Sequence, residues 1–235
     1  PTATGKTAVG IELARRLDGE IISADSMAVY KGMDIGTAKP TPEERAEAVF
    51  HLIDVICPDE DFSVAEFKRL AEETIADIVQ RGKQPILVGG TGLYIRALTG
   101  GLNIPATAPN RDLRERLKAE ASEIGNEVLL ERLRAVDPET ASRLHPNDLK
   151  RIIRALEVHA LTGFPISHFH ATAGKAEVAY HVRLFGLTMS RTALYQNIER
   201  RVDEQIQAGL VEEVRGLLDK GYSPDRPAMK GLGYK

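Results

Sequence analysis

Cysteine is almost absent. Cys57 stands alone among 235 residues, which excludes an intrachain disulfide and a cysteine metal cage and suits a reducing compartment. Neither sign of charge dominates. The 31 Lys and Arg against 34 Asp and Glu leave a formal charge of −3, so a nucleic-acid partner has to be argued from local patches. No apolar run approaches the roughly 20 residues of a membrane span, and no internal repeat, low-complexity tract or targeting peptide is visible. The cytoplasm is the expected compartment, with no membrane contact. What is present is 43% hydrophobic and 28% charged residues with 20 Gly and 12 Pro. That is the composition of a globular chain, long enough for a core domain with an inserted subdomain. The chain opens inside a motif and stops without a terminal signal, and is expected to be a piece of a longer one.

Helical spacing of Val9, Ile11, Leu13, Ala14 and Leu17 predicts a helix closed by Asp18-Gly19. Glu20 to Asp25 reads as a short strand ending on a carboxylate, and His51 to Val55 as a second strand-length apolar run. A long amphipathic helix over 62–81 is entered by Ser63 with Glu66 at capping-box spacing. Pro85 to Val88 reads as a buried strand that runs into Gly89-Gly90-Thr91-Gly92 and a further helix. Strand, glycine loop and helix in that order predict a P-loop NTPase-like parallel α/β sheet flanked by helices, with ligands at the carboxyl ends of the strands. Helical segments around 113–121 and 128–136, with no strand between them, break the pattern and read as a small helical insertion. A helix over 148–161, a late return strand over 181–187 and helices over 194–208 and 210–220 follow. The expected organisation is a core over 1–103, a helical insertion over 104–142 and a return to the core over 143–235.

The opening residues Thr2-Ala3-Thr4-Gly5-Lys6-Thr7 match the tail of G-x-x-x-x-G-K-[ST]; the first glycine would lie one residue before Pro1. Successive amides and a helix N-terminus make an anion cradle there, the lysine reaches the outer phosphate, and the Thr7 hydroxyl can ligate Mg2+. In nucleotide-hydrolysing and phosphoryl-transfer enzymes an apolar strand commonly ends on a metal-holding acid. Here the strongest later strand ends on Gly-Gly-Thr-Gly instead. Asp25, at the end of its strand, faces the loop mouth as a metal helper, a general base or a turn carboxylate.

The run from Asp25-Ser26-Met27-Ala28 to Gly36-Thr37-Ala38-Lys39-Pro40 resembles a segment that tRNA dimethylallyltransferases carry after their P-loop. Gly89 to Tyr94 resembles their second signature, and His145-Pro146-Asn147-Asp148 with Lys150 to Val158 a third. Arg200-Arg201-Val202-Asp203 and Gly231-Leu232-Gly233-Tyr234-Lys235 make a fourth and fifth, all in order. Ala28 stands where family members often have glutamine.

The resemblance implies transfer of a dimethylallyl group from its diphosphate to the exocyclic amine of the adenosine 3′ to the anticodon of tRNA. Thr2, Ala3, Thr4, Gly5, Lys6 and Thr7 would hold the diphosphate, with Mg2+ at Thr7 and Arg201 beside the leaving group. Asp25 would take the amine proton, and Thr91 with Ser26 would orient the adenine. Asp25, Ser26, Met27, Ala28, Thr91, Arg114, Lys150, Arg151, Ile152, Ile153 and Arg154 would meet the anticodon stem-loop, whose target base must be drawn out of its stack. The charge pattern suits this. Residues 143–201 carry nine Lys or Arg against four Asp or Glu, a local +5 that leaves −8 elsewhere. A monomer is expected. Alternatives are a P-loop kinase of a small metabolite, an adenylate isopentenyltransferase that takes a free nucleotide, and a tRNA-binding module without catalysis. His168 and His170 read as a surface pair, Cys57 as a small buried residue, and Tyr94 as core.

Overall fold

The computed structural model describes residues 2–100, 105, 107, 109–171 and 180–235. They form two compact units, one over Pro1–Leu98 with His181–Lys235 and one over Thr99–Tyr180.

The first unit begins with helix α1 (Lys6–Leu17), stopped by Asp18 in the left-handed region, and strand β1 (Gly19–Ala24). Helix α2 (Pro42–Glu47) starts with a complete capping box between Thr41 and Glu44, and strand β2 (Phe50–His51) follows. Helix α3 (Val64–Gln80) is capped by Ser63, whose hydroxyl accepts the Glu66 amide. The Glu66 carboxylate turns to Arg69 instead of closing the box. Strand β3 (Gln84–Gly89) runs directly into helix α4 (Gly92–Thr99). The sheet order is β2-β1-β3, all parallel, with Ala24 opposite Gly89 at the carboxyl end. Gly10 lets α1 lie close on the sheet, since a Cβ there would strike the Val88 side chain. Ile11, Ala14 and Ile21 pack together at that contact.

The second unit is helical. Helices α5 (Arg111–Ile124), α6 (Asn126–Val136), α7 (Pro138–Ala141), α8 (Leu149–Thr162) and α9 (Ile166–Ala171) share a core of Leu117, Leu129, Leu130, Leu133, Ile152, Ile153 and Leu156. The chain then re-enters the first unit as helices α10 (Arg191–Gln207) and α11 (Leu210–Asp219) and a 3-10 turn, Ala228–Lys230. Leu210, Leu217, Met229 and Tyr234 join Val29, Tyr30 and Met33 in a second apolar cluster of that unit.

Three expectations need correcting. The insertion extends beyond 142, because α8 buries its apolar stripe against α5 and α6 and so belongs to the helical unit. The strand expected over 51–55 stops at His51, because Leu52 and Asp54 are left-handed. Residues 181–187 form no strand. They have no ladder partner among the described residues, and Leu184 and Phe185 are exposed.

Candidate active site

Lys6 of the phosphate loop lies beside Gly90 and feels the charge of Asp25, residues that follow the carboxyl ends of β3 and β1, where an open parallel sheet presents its ligands. Ala3 and Gly5 are left-handed, the backbone state that turns neighbouring amides toward a common point. The N-cap of α1 is Gly5, which has no side chain to cap the helix, and the positive end of a helix favours an anion. Helix α10 lies over this loop. Asn197 donates to the Ala3 carbonyl at 3.2 Å, and Arg201, one turn later, donates from Nη1 to the Thr2 hydroxyl at 3.2 Å.

The opposite side of the mouth is built by β1 and the Gly-Gly-Thr-Gly turn. Gly89 is forced to be glycine, because a Cβ would strike the Ala24 carbonyl. The Thr91 amide donates to that carbonyl at 3.1 Å, and the Thr91 hydroxyl accepts the Ser26 amide at 3.0 Å. The Thr91 and Ser26 hydroxyls are 3.4 Å apart, so one hydroxyl pair bridges the ends of the two strands. Asp25 spends Oδ1 on the Met27 amide at 2.8 Å; Oδ2 accepts no hydrogen bond among the described residues. Lys6 feels this surrounding directly. Burial lowers its pKa, the Asp25 carboxylate opposes that, and the Arg201 charge adds to it. Lys6, Asp25, Ser26, Thr91 and Arg201 therefore share one mouth, with two cations on one side and a half-committed carboxylate on the other.

A divalent cation suits the donors present. Mg2+ prefers hard oxygen ligands and keeps most of its waters, so it takes one or two protein oxygens plus those of a phosphate. Thr7, half-buried in the first turn of α1, offers a hydroxyl of that kind.

Other sequence-derived candidates divide sharply. Lys150 and Arg151 are exposed, and among the described residues Arg151 pairs with Asp148, at 3.2 Å. Ile152 and Ile153 are core residues at 0% and 4% exposure, so their side chains are corrected from RNA contacts to packing. Ala28 is buried and Met27 packs on the Val29 cluster, so neither side chain is a free contact. Arg114 and Arg154 are both bound to Glu157, which is fully buried. Tyr94 is core, stacked on Phe67 with ring centroids 3.9 Å apart. His168 and His170 are exposed. Cys57 is half-buried, less enclosed than expected.

Sequence reading missed Glu213 and Gln205. The Glu213 carboxylate accepts the amides of Asp34, Ile35 and Gly36 and the Tyr234 hydroxyl. Gln205, one turn beyond Arg201, donates to the Ile35 and Gly36 carbonyls. The clasp holds the loop that follows Asp25, and Gly36 is glycine because a Cβ would enter the Tyr234 ring. An acidic residue in the first turn of a helix ordinarily reads as a solvated dipole partner, which hid Glu213. Glu157 left a better signal, a carboxylate set in the apolar stripe of Ile153 and Leu156.

The family model described as IPP transferase matches residues 28–235. The chain belongs to that family. It is 50% identical over all 235 residues to tRNA dimethylallyltransferase 1 of Pelobacter propionicus, covering 76% of that protein. The crystal structure of the full-length tRNA isopentenylpyrophosphate transferase of Bacillus halodurans is 44% identical, with a TM-score of 0.67. This chain is covered completely in that match, and 72% of the other is covered. A eukaryotic dimethylallyltransferase captured acting on tRNA is 27% identical with a TM-score of 0.82, over 99% of this chain and 59% of that one. As an IPP transferase the chain has the expected P-loop-like α/β fold. Among the described residues, no helix is long and apolar enough to cross a membrane.

Proposed function

We propose that this chain transfers the dimethylallyl group of dimethylallyl diphosphate to the exocyclic amine of the adenosine 3′ to the anticodon in tRNA, releasing diphosphate. The observation that carries the reading is the mouth itself, where Lys6 and Arg201 stand across from an Asp25 carboxylate with one uncommitted oxygen.

In this reaction the carbon–oxygen bond to the diphosphate breaks as the carbon–nitrogen bond forms. Negative charge grows on the leaving diphosphate, and a cation or amide aimed at it gains strength in the transition state. Lys6, Arg201 and the amides of residues 2–7 have that role. Mg2+, bound by Thr7 and phosphate oxygens, would supply further positive charge to the leaving group. The amine becomes more acidic as it is alkylated, and Asp25 Oδ2 accepts its proton before passing it to solvent. The Met27 amide on Oδ1 keeps the carboxylate from rotating away. Thr91 and Ser26, already bonded to one another, offer hydroxyls to the adenine edge and fix the amine against the allylic carbon. The exposed Lys150 and Arg151 would hold tRNA phosphates and help offset the few kcal/mol of unstacking the base. A single chain working in the cytoplasm suffices for this scheme.

A labelled-donor assay tests it. Dimethylallyl diphosphate and Mg2+ are offered to unmodified tRNA, to adenosine monophosphate and to no acceptor, with ATP phosphoryl transfer measured in parallel. Label in tRNA alone is expected. Label in the mononucleotide points to an adenylate isopentenyltransferase, phosphoryl transfer to a kinase, and salt-dependent tRNA binding without label to a binding module.

A further inference from the structure

The helical unit contains a charge arrangement with one guanidinium more than its carboxylate charge balances. Glu157 on α8 is fully buried, and both of its oxygens are saturated. Oε1 accepts the Asn110 amide at 2.8 Å and Arg114 Nε at 2.8 Å; Oε2 accepts Arg114 Nη2 at 2.7 Å and Arg154 Nη1 at 2.6 Å. Burial alone would raise the Glu157 pKa, but hydrogen bonds from the two arginines and the amide more than compensate and hold it below the ordinary range. The bidentate Arg114 already neutralises the carboxylate. Arg154 brings a second unit of positive charge to the same anion, so the cluster carries a net +1.

Both arginines also face water, with side chains 33% and 29% exposed. Arg114 Nη1 and Arg154 Nε and Nη2 donate to no group among the described residues. Two guanidiniums from different helices, 40 positions apart in the chain, are thus fixed on one anion with donors left over. Fixed, planar donors with surplus positive charge match the oxygens of a phosphodiester. Because neither side chain must be ordered on binding, such a site costs less entropy than two mobile surface arginines.

We propose that Glu157 is a positioning residue for the acceptor, holding Arg114 and Arg154 as a preformed fork for one backbone phosphate of the tRNA. This rests on the tRNA reading above. The charge of the ligand follows from the cluster, and its polymeric nature from the exposed Lys150 and Arg151 on the same helix.

Glu157→Gln separates positioning from simple charge, because it adds one positive charge to the unit while removing the anion that aligns the guanidiniums. Attraction by charge alone predicts equal or tighter tRNA binding. The fork predicts weaker binding. Direct titration of tRNA should show the Kd of E157Q raised about tenfold, and the slope of log K against log salt reduced by about 0.9, the value of one phosphate. The KM for tRNA should rise in step, with kcat and the KM for dimethylallyl diphosphate within about twofold of the parent. Tighter or unchanged tRNA binding by a folded E157Q overturns the proposal, as does a parallel fall in kcat and donor affinity. Should E157Q fail to fold, Arg154→Lys carries the test, because it keeps the charge and leaves the Arg114–Glu157 pair intact. Weaker tRNA binding at an unchanged Tm is expected, and unchanged binding overturns the fork. Titration of the parent chain with tRNA reads binding independently of transfer. Parent binding without transfer would fail the enzymatic reading alone.

Discussion

Asp25 and Glu157 are carboxylates of the two units treated in opposite ways. Asp25, half-buried just past the end of β1, commits one oxygen to a backbone amide and leaves the other uncommitted among the described residues. Glu157, fully buried in α8, commits both, to two arginines and an amide. A group that must exchange a proton has to keep a lone pair uncommitted. A group that aligns cations has to spend every one it has. The same functional group is half-committed in one unit and saturated in the other, and the surrounding donors decide which.

The sharpest way to break this contrast is to remove each carboxylate and ask what fails. Asp25→Ala should nearly abolish turnover while tRNA affinity, read by direct titration, stays within a few-fold; a parallel collapse of affinity would make Asp25 a docking residue. Glu157→Gln, by contrast, should act on tRNA binding and leave kcat largely intact. Glu213 sharpens the comparison within the first unit, since it too is saturated, by three amides and the Tyr234 hydroxyl. Glu213→Ala strips these donors of their acceptor and should cost about 1–3 kcal/mol in a denaturant titration, with the KM for tRNA rising as the loop after Asp25 loosens.

Acid offers a milder test. Glu20, buried in β1, is held at about 2 by hydrogen bonds from Arg81, against its burial and with help from His51 and Lys83. A folded pKa below the ordinary 4.5 means stability that is complete above pH 4.5 and is lost as pH falls toward 2. Thermal melts should therefore decline in that window, and Glu20→Gln should flatten the decline. The smallest effect is expected at Arg151, whose pair with Asp148 is exposed. Arg151→Ala should change stability by less than about 0.5 kcal/mol and weaken tRNA binding only modestly and in a salt-dependent way.

Much of the first unit was legible in the sequence because its signals are local. A glycine-lysine-threonine turn opening a helix, a strand ending on Asp25 and another ending on Gly89-Gly90-Thr91 each specify their own backbone. Their spacing on a parallel sheet brings them to one end. The capping of α3 by Ser63 was equally plain, although its Glu66 found a closer partner in Arg69. Partners distant in sequence were not legible. The amphipathic pattern of α8 says that Ile152, Ile153 and Leu156 are buried, but not that they are buried against Leu117 and Leu129. Residues 181–187 read as a late return strand, yet a strand exists only with a neighbour to bond.

By itself, then, the sequence determined the family, the strand–glycine loop–helix order that builds the mouth, the phosphate loop and the identity of the mouth residues, because periodicity, turn chemistry and contiguous motifs act over a few residues at a time. Only the tertiary structure decided which charges are spent and which are kept. Whether Arg114 is a mobile surface cation or one arm of a cluster depends on Glu157, 43 positions away, and the clasp on residues 34–36 depends on Glu213. Those partnerships are set by packing, which brings distant side chains within hydrogen-bond range, and no local pattern records them.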